Sequence, residues 1–303
     1  MEEFITDMKT DAVCFSSLLT KFRLWVKLQK ILCEFHIPYA LIPHTKDIWV
    51  RDFMPIQMNK GRFVTFSFNP SYLSGLSEYH TDWVNWVERC IVHHHYPIEN
   101  GKHVYTRHFI SKSGLDIQLD GGNVIKCDDC VLITDRVFQE NESIKKTTLL
   151  DSLEQVFSQE VFIIPSDPLE MTGHADGMVR YIGNGTVLLN HYVDFDMPLR
   201  QRLLKVLSPK FTIAEFHFGT NNCPATNWAY INYLQVGKLV VAPAVNERLD
   251  DIAIPQLEEL LKTQIHTVPS LGIVRLGGGL NCLSWTTRGL VDNIEYDGMQ
   301  GYI

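Results

Sequence analysis

The spacing of apolar residues changes along the chain, and each change marks an expected helix or strand. Over residues 16–35 apolar positions recur every three to four residues, which predicts an amphipathic helix. The short apolar runs at 64–68 and 160–165 instead predict strands. Further helices are predicted over residues 81–92, 143–157, 199–207 and 255–262.

Pairs of apolar runs joined by polar or glycine-containing turns predict β-hairpins. A hairpin followed by a helix and a strand recurs about three times, at a spacing of roughly 50–60 residues. Because no Pro/Ser-rich linker separates these repeats, we expect one circular or layered α/β domain over residues 1–303. The predicted hairpins pair residues 123–126 with 130–134, 178–182 with 186–190, and 228–234 with 238–242.

The composition narrows the class of protein. Hydrophobic residues make up 45% and charged residues 20% of the 303 positions, as in an ordinary globular protein. The formal charge of −8 argues against a nucleic-acid partner and is compatible with a small cationic substrate. No apolar run approaches the roughly 18 residues of a membrane span, and the acidic start lacks the pattern of a secretory signal. We therefore expect a cytoplasmic protein whose seven cysteines are reduced.

The segment Gly277-Gly278-Gly279-Leu280-Asn281-Cys282 carries the strongest chemical signal. A thiol directly after a glycine run lies on closely approachable backbone, where a nucleophile can meet a substrate. An isolated cysteine is more often a small buried hydrophobe, so the interpretation depends on which other chemical motifs the chain contains. Three such motifs lie upstream, each expected where a strand or hairpin meets a turn: Arg51-Asp52, Asp120-Gly121-Gly122-Asn123 and Gly173-His174-Ala175-Asp176.

The first of these segments offers a carboxylate beside an aromatic ring. Asp52 can accept a planar guanidinium through paired hydrogen bonds, while Trp49 walls the pocket. Arg51 either joins the substrate site or neutralises Asp52 in a structural ion pair. Asn123 and Gly279, which neighbour the chemical candidates, are also predicted to contact the substrate.

The other two segments offer a proton carrier and two further carboxylates. If their backbone is extended, His174 and Asp176 point to the same face, so that one handles protons while the other touches the substrate. Asp120, before a double glycine, can approach His174 closely and hold its protonation state. Taken singly, each segment is equally compatible with an ordinary turn. Together they form a set suited to cleaving a C–N bond of a guanidinium.

No metal or cofactor is predicted. Cys127-Asp128-Asp129-Cys130 is a single Cys-x-x-Cys, without a second pair or a histidine pair at metal-binding spacing. A thiol redox module at Cys127 and Cys130 remains an alternative. His93-His94-His95 follows a predicted helix and is interpreted as its solvated end.

Taken in their order along the chain, the four motifs resemble the agmatine deiminase and bacterial peptidylarginine deiminase family over about residues 42–289. The resemblance implies a five-bladed α/β propeller with the site at its centre, no cofactor, and a homodimer as an option. It implies that Cys282 attacks the guanidinium carbon and that Asp52 and Asp176 bind the guanidinium nitrogens. His174 would protonate the departing ammonia and then take a proton from water, with Asp120 orienting it.

Three departures from the family pattern concern the substrate. Asp120 replaces the usual glutamate, and the tryptophan-rich opening of typical agmatine deiminases is missing. The usual Gly-Gly-Gly-Asn-Ile-His-Cys is one residue shorter here and lacks the histidine. The expected substrate is agmatine, and residues 69–79 and 216–222 are the loops expected to set specificity for its tail.

Four alternatives remain open at this stage. Free arginine or a peptide arginine would need a partner for a carboxylate or a backbone groove, and Arg107, Arg180 and Arg275 are the candidate cations. An amidinotransferase would share the covalent chemistry but pass the amidino group to an amine. A catalytically silent protein would keep the pocket and only bind guanidino ligands.

Overall fold

The computed structural model describes residues 4–69, 109–112, 115–219 and 226–289. Within these residues the strands form five three-stranded sheets, which confirms the α/β class. The repeated unit therefore occurs five times, against the three or so occurrences that the sequence indicated. The strands are β1 Ala12–Ser16, β2 Tyr39–Ile42, β3 Ile56–Asn59, β4 Arg62–Thr65, β5 Phe109–Lys112, β6 Ile125–Lys126, β7 Cys130–Thr134, β8 Glu160–Ile164, β9 Val179–Gly183, β10 Thr186–Leu189, β11 Thr212–Glu215, β12 Leu234–Val236, β13 Leu239–Ala244, β14 Ile265–Pro269 and β15 Ser284–Thr287.

All five sheets share one topology. A central strand pairs antiparallel with one neighbour and parallel with the other, in the orders β15-β1-β2, β3-β4-β5, β6-β7-β8, β9-β10-β11 and β12-β13-β14. Parallel neighbours need a crossover connection, and in the four repeats whose crossover the structure describes, a helix follows the central strand. In the first sheet, β15 from the end of the described chain completes β1 and β2 from its beginning.

The helices are short and bury one face. In α1, buried Leu24, Leu28 and Leu32 recur every four residues, as an amphipathic helix requires. The Asp196 side chain caps α6 by accepting a hydrogen bond from the backbone N–H of Leu199. The α-helices are α1 Leu24–Glu34, α2 Val50–Phe53, α3 Arg136–Glu140, α4 Lys146–Phe157, α5 Tyr192–Phe195, α6 Met197–Leu207, α7 Glu247–Leu261 and α8 Leu271–Val274.

Three predicted elements are wrong in part. Residues 16–35 contain the 3-10 helix Ser17–Lys21 before α1, because the Ser16 side chain accepts from the backbone N–H of Leu18 and turns the chain. Residues 228–234 fall largely in the 3-10 helix Asn227–Ile231. Helix α7 starts eight residues before Pro255, because the Asn246 side chain caps it by accepting from the backbone N–H of Leu249. The helix predicted at 81–92 and the histidines at 93–95 lie outside the described residues.

The buried interior of the described residues contains both apolar clusters and a separate polar group. Buried apolar side chains from the sheets and helices form five clusters in the described part of the chain. A separate group of buried polar side chains lies in the segments that lead into the first strand of each sheet, and it comprises Asp52, Asp120, Asn123, His174, Asp176, Asn232 and Asn281. In the described ranges, no helix is both long and apolar enough to cross a membrane.

Candidate functional site

The candidate site is assembled from segments that precede β3, β6, β9, β12 and β15. Asp52 lies in α2, and Asp120 directly precedes the 3-10 helix Gly121–Asn123. His174 directly precedes the 3-10 helix Ala175–Gly177, which contains Asp176. The condition of an extended backbone is met at His174 but not at Asp176, which lies in the tight turn of the 3-10 helix. Both side chains are nevertheless buried at the site.

The imidazole of His174 is held between two carboxylates. Its Nε2 lies 3.2 Å from Asp120 Oδ2, and its Nδ1 lies 3.7 Å from Asp52 Oδ1. Asp52 Oδ1 also accepts a hydrogen bond of 3.0 Å from the backbone N–H of Gly122. The expected approach of Asp120 to His174 is therefore present, and Nδ1 is the ring nitrogen left facing Asp52.

Gly122 sets the distance between these groups. A Cβ atom at this position would lie 2.6 Å from Asp52 Oδ1, 2.7 Å from His174 Nδ1 and 3.5 Å from Asp176 Oδ1. Contacts below 3.0 Å essentially never occur for real Cβ atoms. The absence of a side chain therefore lets two carboxylates and the imidazole approach one another.

The thiol of Cys282 faces two oxygen acceptors. Its Sγ lies 3.5 Å from Asp176 Oδ2 and 3.3 Å from Asn232 Oδ1. Asn232 Oδ1 also accepts from the backbone N–H groups of Asn281 (3.1 Å) and Cys282 (3.2 Å). Its amide nitrogen donates to the backbone carbonyl of Asp176. Asn232 thus fixes the backbone that carries the thiol.

Burial and charge determine the protonation of this cluster. Burial lowers the pKa of His174, but the carboxylates of Asp52, Asp120 and Asp176 outweigh that effect and raise it to about 10. His174 is therefore an imidazolium at neutral pH. Burial, followed by the charges of Asp176 and Asp52, raises the pKa of the Cys282 thiol well above its usual value. This environment therefore favours the protonated thiol over the thiolate.

Asp52 shares the same electrostatic constraint. Burial raises its pKa well above the usual value, the His174 cation opposes this, and the charges of Asp120 and Asp176 add to it. Several carboxylates that share a buried site cannot all ionise without a cation. A bound cation would therefore favour loss of protons from this cluster.

The reactive groups open into a small cavity beside a larger one. The first, of about 90 Å³, is lined by Asp52, His174, Asp176 and Cys282, with Trp49 and Asn232. The second, of about 840 Å³, shares Glu170, Met171, Gly177, Trp228 and Gly277 with it. We call the larger cavity the vestibule. The pair of cavities fits a compact head group with a longer tail.

The remaining predicted site residues have different positions. Trp49 lines the pocket, where its ring packs against the backbone of Gly278. Asn123 does not line the pocket; its Oδ1 accepts hydrogen bonds from the backbone N–H groups of Thr134 and Ala175. Gly279 leaves room for Asn232, since a Cβ there would lie 2.4 Å from Asn232 Oδ1. Neither Asn123 nor Gly279 is among the described residues that line the pocket.

Arg51 points away from Asp52. Its Nη1 lies 3.8 Å from Asp7, and its Nε donates to the backbone carbonyl of Asn281. It is not among the described residues around the pocket. The suggested ion pair with Asp52 is replaced by the one with Asp7, because α2 directs the two neighbouring side chains to opposite sides.

Other sequence candidates are also placed. Arg180 is buried and paired with Asp7 at 2.7 Å, whereas Arg275 is exposed at the vestibule. Arg107 and residues 70–79 and 220–222 of the specificity loops lie outside the described ranges. Cys127 and Cys130 are buried at the turn between β6 and β7. In the part of the chain that the structure describes, no cluster of three or more His, Cys, Asp or Glu side chains could hold a metal ion.

Comparisons with known proteins identify related chains. A model of the Porphyromonas-type peptidyl-arginine deiminase family matches residues 20–287. The C. jejuni agmatine deiminase structure has a TM-score of 0.68 at 17% identity, over 96% of this chain and 97% of that chain. The agmatine deiminase of Enterococcus faecalis gives 0.64 at 17% identity, over 92% and 93%. A dimethylarginine dimethylaminohydrolase gives 0.59 at 11% identity, over 91% and 99%. A search of curated protein sequences gives no match.

Proposed function

The chain belongs to the Porphyromonas-type peptidyl-arginine deiminase family, and we propose that it hydrolyses a guanidinium group to a ureido group and ammonia. The observation that carries this proposal is one buried pocket containing the Cys282 thiol, the His174 imidazolium and two cation-binding carboxylates, Asp52 and Asp176. Related enzymes of this type are hydrolases that act on guanidino C–N bonds.

Substrate binding comes first in the proposed mechanism. A guanidinium stays protonated at all relevant pH values, so it needs anionic partners in a buried site. Asp52 and Asp176 supply them, and Trp49 walls the planar group. The bound cation lowers the pKa of Cys282, because it compensates the two carboxylates that hold the proton on the thiol. The thiolate then forms in the presence of substrate.

Covalent chemistry follows in two stages. The Cys282 thiolate bonds to the guanidinium carbon, and the C–N bond to one nitrogen breaks as His174 donates a proton to the leaving ammonia. Neutral His174 then takes a proton from water, whose oxygen attacks the carbon of the thiouronium intermediate. The C–S bond then breaks and the hydroxyl proton of the tetrahedral intermediate is lost to water, from which the released ammonia takes it up as ammonium. This step releases the ureido product and restores the thiolate. Asp120 keeps the ring of His174 in position throughout.

The charges of the vestibule favour agmatine as the substrate. Among the described residues that line it, Asp167 and Glu170 are acidic and Arg275 is cationic. Asp167 is buried, and its carboxylate accepts from the hydroxyl of Tyr192 and the backbone N–H of Leu169. An acidic excess suits an ammonium tail, so the proposed reaction converts agmatine to N-carbamoylputrescine, within putrescine biosynthesis.

A second candidate is an arginine or peptidylarginine deiminase. The vestibule, at about 840 Å³, exceeds what a butylammonium tail requires, and the exposed Arg275 at its edge could meet a carboxylate. An amidinotransferase or a silent guanidino-binding protein would use the same pocket. These candidate functions differ in the substrate that they convert and in whether ammonia is released, so one assay of ammonia release separates them.

The architecture that we propose with this function is a single catalytic domain over residues 1–303, in the form of a five-bladed propeller. It is supported by five sheets of one topology, whose leading segments meet at the site. A cytoplasmic location and homodimer formation remain predictions from the sequence and the resemblance.

Ammonia release from agmatine, arginine, a peptide with C-terminal arginine and methylarginine tests the proposal. Cys282→Ser should abolish release, whereas Cys33→Ser, at an exposed cysteine, should leave it unchanged. Release from agmatine alone supports agmatine deimination, and release from carboxylate-bearing substrates moves the assignment to the second candidate. Ammonia that appears only with an amine acceptor, or ligand-induced stabilisation without ammonia, would overturn hydrolysis.

A further inference from the structure

A second charged cluster lies directly behind the candidate pocket. Arg180 Nη2 is 2.7 Å and Arg51 Nη1 is 3.8 Å from the carboxylate of Asp7. Lys126 joins them around a cavity of about 20 Å³ that Asn281 also lines. We call Asp7, Arg51, Lys126 and Arg180 the rear cluster.

The two clusters carry opposite charges. With Lys126 protonated, the rear cluster has three cations and one carboxylate, a net charge of +2. The pocket has the carboxylates of Asp52, Asp120 and Asp176 and the imidazolium of His174, a net charge of −2 when all are ionised. Burying like charges is costly unless opposite charge lies nearby, so each cluster offsets the other.

Asn281 is the connection between the two clusters. Its Oδ1 accepts a hydrogen bond of 2.8 Å from Arg180 Nη1, and its Nδ2 donates one of 2.8 Å to Asp176 Oδ2. The same Asp176 oxygen lies 3.5 Å from Cys282 Sγ. Asn281 is 3% exposed and Arg180 is 2% exposed, so water competes little with these bonds.

The chain of bonds has a direction that depends on Arg180. A side-chain amide can present either its oxygen or its nitrogen to a neighbour, whereas a guanidinium can only donate. Arg180 therefore donates a hydrogen bond to the oxygen of Asn281, and the amide nitrogen of Asn281 donates one to Asp176. Without Arg180, the Asn281 oxygen loses its donor, and the single bond to Asp176 alone then holds the amide in this orientation. Arg180 itself is held by Asp7 and by the face of Tyr233, 4.6 Å from its guanidinium.

We propose that Arg180 and Asn281 are positioning residues for this reaction: Arg180 orients the Asn281 amide, which holds Asp176 in place beside Cys282 and stabilises its charge. The inference rests on the proposed function and concerns the residue directly before Cys282, where the resembled motif has histidine. Neither residue is assigned contact with the substrate. Their effect reaches the reaction through Asp176.

The electrostatic consequence is measurable at Cys282. The charged groups around the sulfur are Asp52, Asp176, His174 and Glu170 in the pocket, with the rear cluster behind Asn281. Removing the Arg180 cation leaves the carboxylates less compensated, so the thiol should ionise at higher pH. A unit charge at roughly 8 Å and an effective dielectric constant near 20 corresponds to a shift of about 1.5 pH units.

The test compares Arg180→Gln, Arg180→Lys and Asn281→Leu with a matched control, Arg200→Gln. Arg200 pairs with Glu215 and contacts no residue of the pocket or the rear cluster in the described structure. Each protein is titrated by the rate of Cys282 alkylation with iodoacetamide against pH, using Cys282→Ser to subtract the other thiols. Thermal unfolding and kcat/KM for the active substrate are measured in parallel.

We expect Arg180→Gln to move the alkylation midpoint upward by about 1.5 pH units and Asn281→Leu to move it upward by less, because that change removes no charge. Both should lower kcat/KM by roughly 10- to 100-fold. Arg180→Lys should recover part of both effects, and Arg200→Gln should match the wild type. The double variant Arg180→Gln/Asn281→Leu should lose no more than the worse single variant, because both act through one chain of bonds.

An unchanged midpoint in both single variants, or fully additive losses in the double variant, would overturn the proposal and leave a merely structural role. If Arg180→Gln does not fold, Arg180→Lys and Asn281→Leu carry the same comparison. The alkylation titration needs no turnover. Shifted midpoints in a protein that releases no ammonia would therefore refute the proposed function while supporting the positioning role.

Discussion

Replacing Gly122 by alanine tests whether the spacing of the site is set by the absence of one side chain. The new Cβ would lie 2.6 Å from Asp52 Oδ1 and 2.7 Å from His174 Nδ1, whereas ordinary contacts begin at 3.4 Å. Each group must therefore move by about 0.7 Å, or the backbone must move away. Gly122 does not occupy the left-handed region, so alanine adds no backbone strain and the effect is steric.

Displacements of this size at reacting groups cost roughly 100-fold in rate. We expect Gly122→Ala to lower kcat/KM for ammonia release by at least about that factor, and to lower the free energy of unfolding by about 1–3 kcal/mol through overpacking. Gly272→Ala is the matched control, because a Cβ there meets nothing within 4 Å and its φ is also ordinary. Activity of Gly122→Ala within about threefold of Gly272→Ala would refute the argument from spacing.

Three further predictions follow from the charges and hydrogen bonds. Burial raises the pKa of Asp7, but the charges of Arg180, Arg51 and Lys126 outweigh burial and lower this pKa to about 2. The ionised Asp7 therefore stabilises the folded protein above pH 3.8, and this stabilisation is lost as the pH falls towards 2. Asp7→Asn should thus lower the free energy of unfolding at neutral pH by about 2 kcal/mol and flatten its acid dependence in denaturant titrations; an unchanged acid limb contradicts this. Asn232→Leu leaves the backbone N–H of Cys282 without its side-chain acceptor, whereas the N–H of Asn281 keeps the backbone carbonyl of residue 232, so the change should cost about 1–3 kcal/mol in the same assay, with a loss below about 0.5 kcal/mol as the contrary result. An inert guanidinium ligand should lower the pH at which the ultraviolet thiolate signal of Cys282 appears, measured as wild type minus Cys282→Ser, and no shift on binding contradicts substrate-assisted ionisation.

The residues that we propose to carry the chemistry are largely predictable from the sequence. Type and motif order predict Cys282, His174, Asp120, Asp176 and Asp52; the structure brings four of them to one pocket and places Asp120 against His174. The family predicted from the same motifs is confirmed by the family match over residues 20–287. Local motifs succeed here because each one lies in a single short segment at the start of a repeat.

Asn232 was missed because its segment was interpreted as a strand. The useful signal was positional rather than chemical. Asn123, Asn232 and Cys282 each lie two residues before the first strand of their sheets, at Ile125, Leu234 and Ser284. Counting five repeats instead of about three would place Asn232 at the equivalent position before the sheet β12-β13-β14.

The partners of Arg51 and Arg180 could not be predicted in this way. Both meet Asp7, which is 173 positions from Arg180 along the chain. Their approach depends on β15 pairing with β1, a contact between the two ends of the described chain. No local periodicity encodes such a pairing, so long-range ion pairs become visible only when the fold is known.

In the proposed mechanism, the charge arrangement also keeps a buried nucleophile unreactive until substrate arrives. Burial and the carboxylates of Asp176 and Asp52 raise the pKa of the Cys282 thiol, and the carboxylates of Asp52, Asp120 and Asp176 raise the pKa of His174, so both groups favour their protonated forms. A guanidinium adds one positive charge beside Asp52 and Asp176 and removes most of that restraint. The rear cluster already offsets the negative charge of the pocket. The positive charge of the bound guanidinium therefore has to offset only the carboxylates next to the sulfur of Cys282. Binding of the correct cation thereby becomes the step that activates the thiol, and neutral electrophiles meet a poor nucleophile.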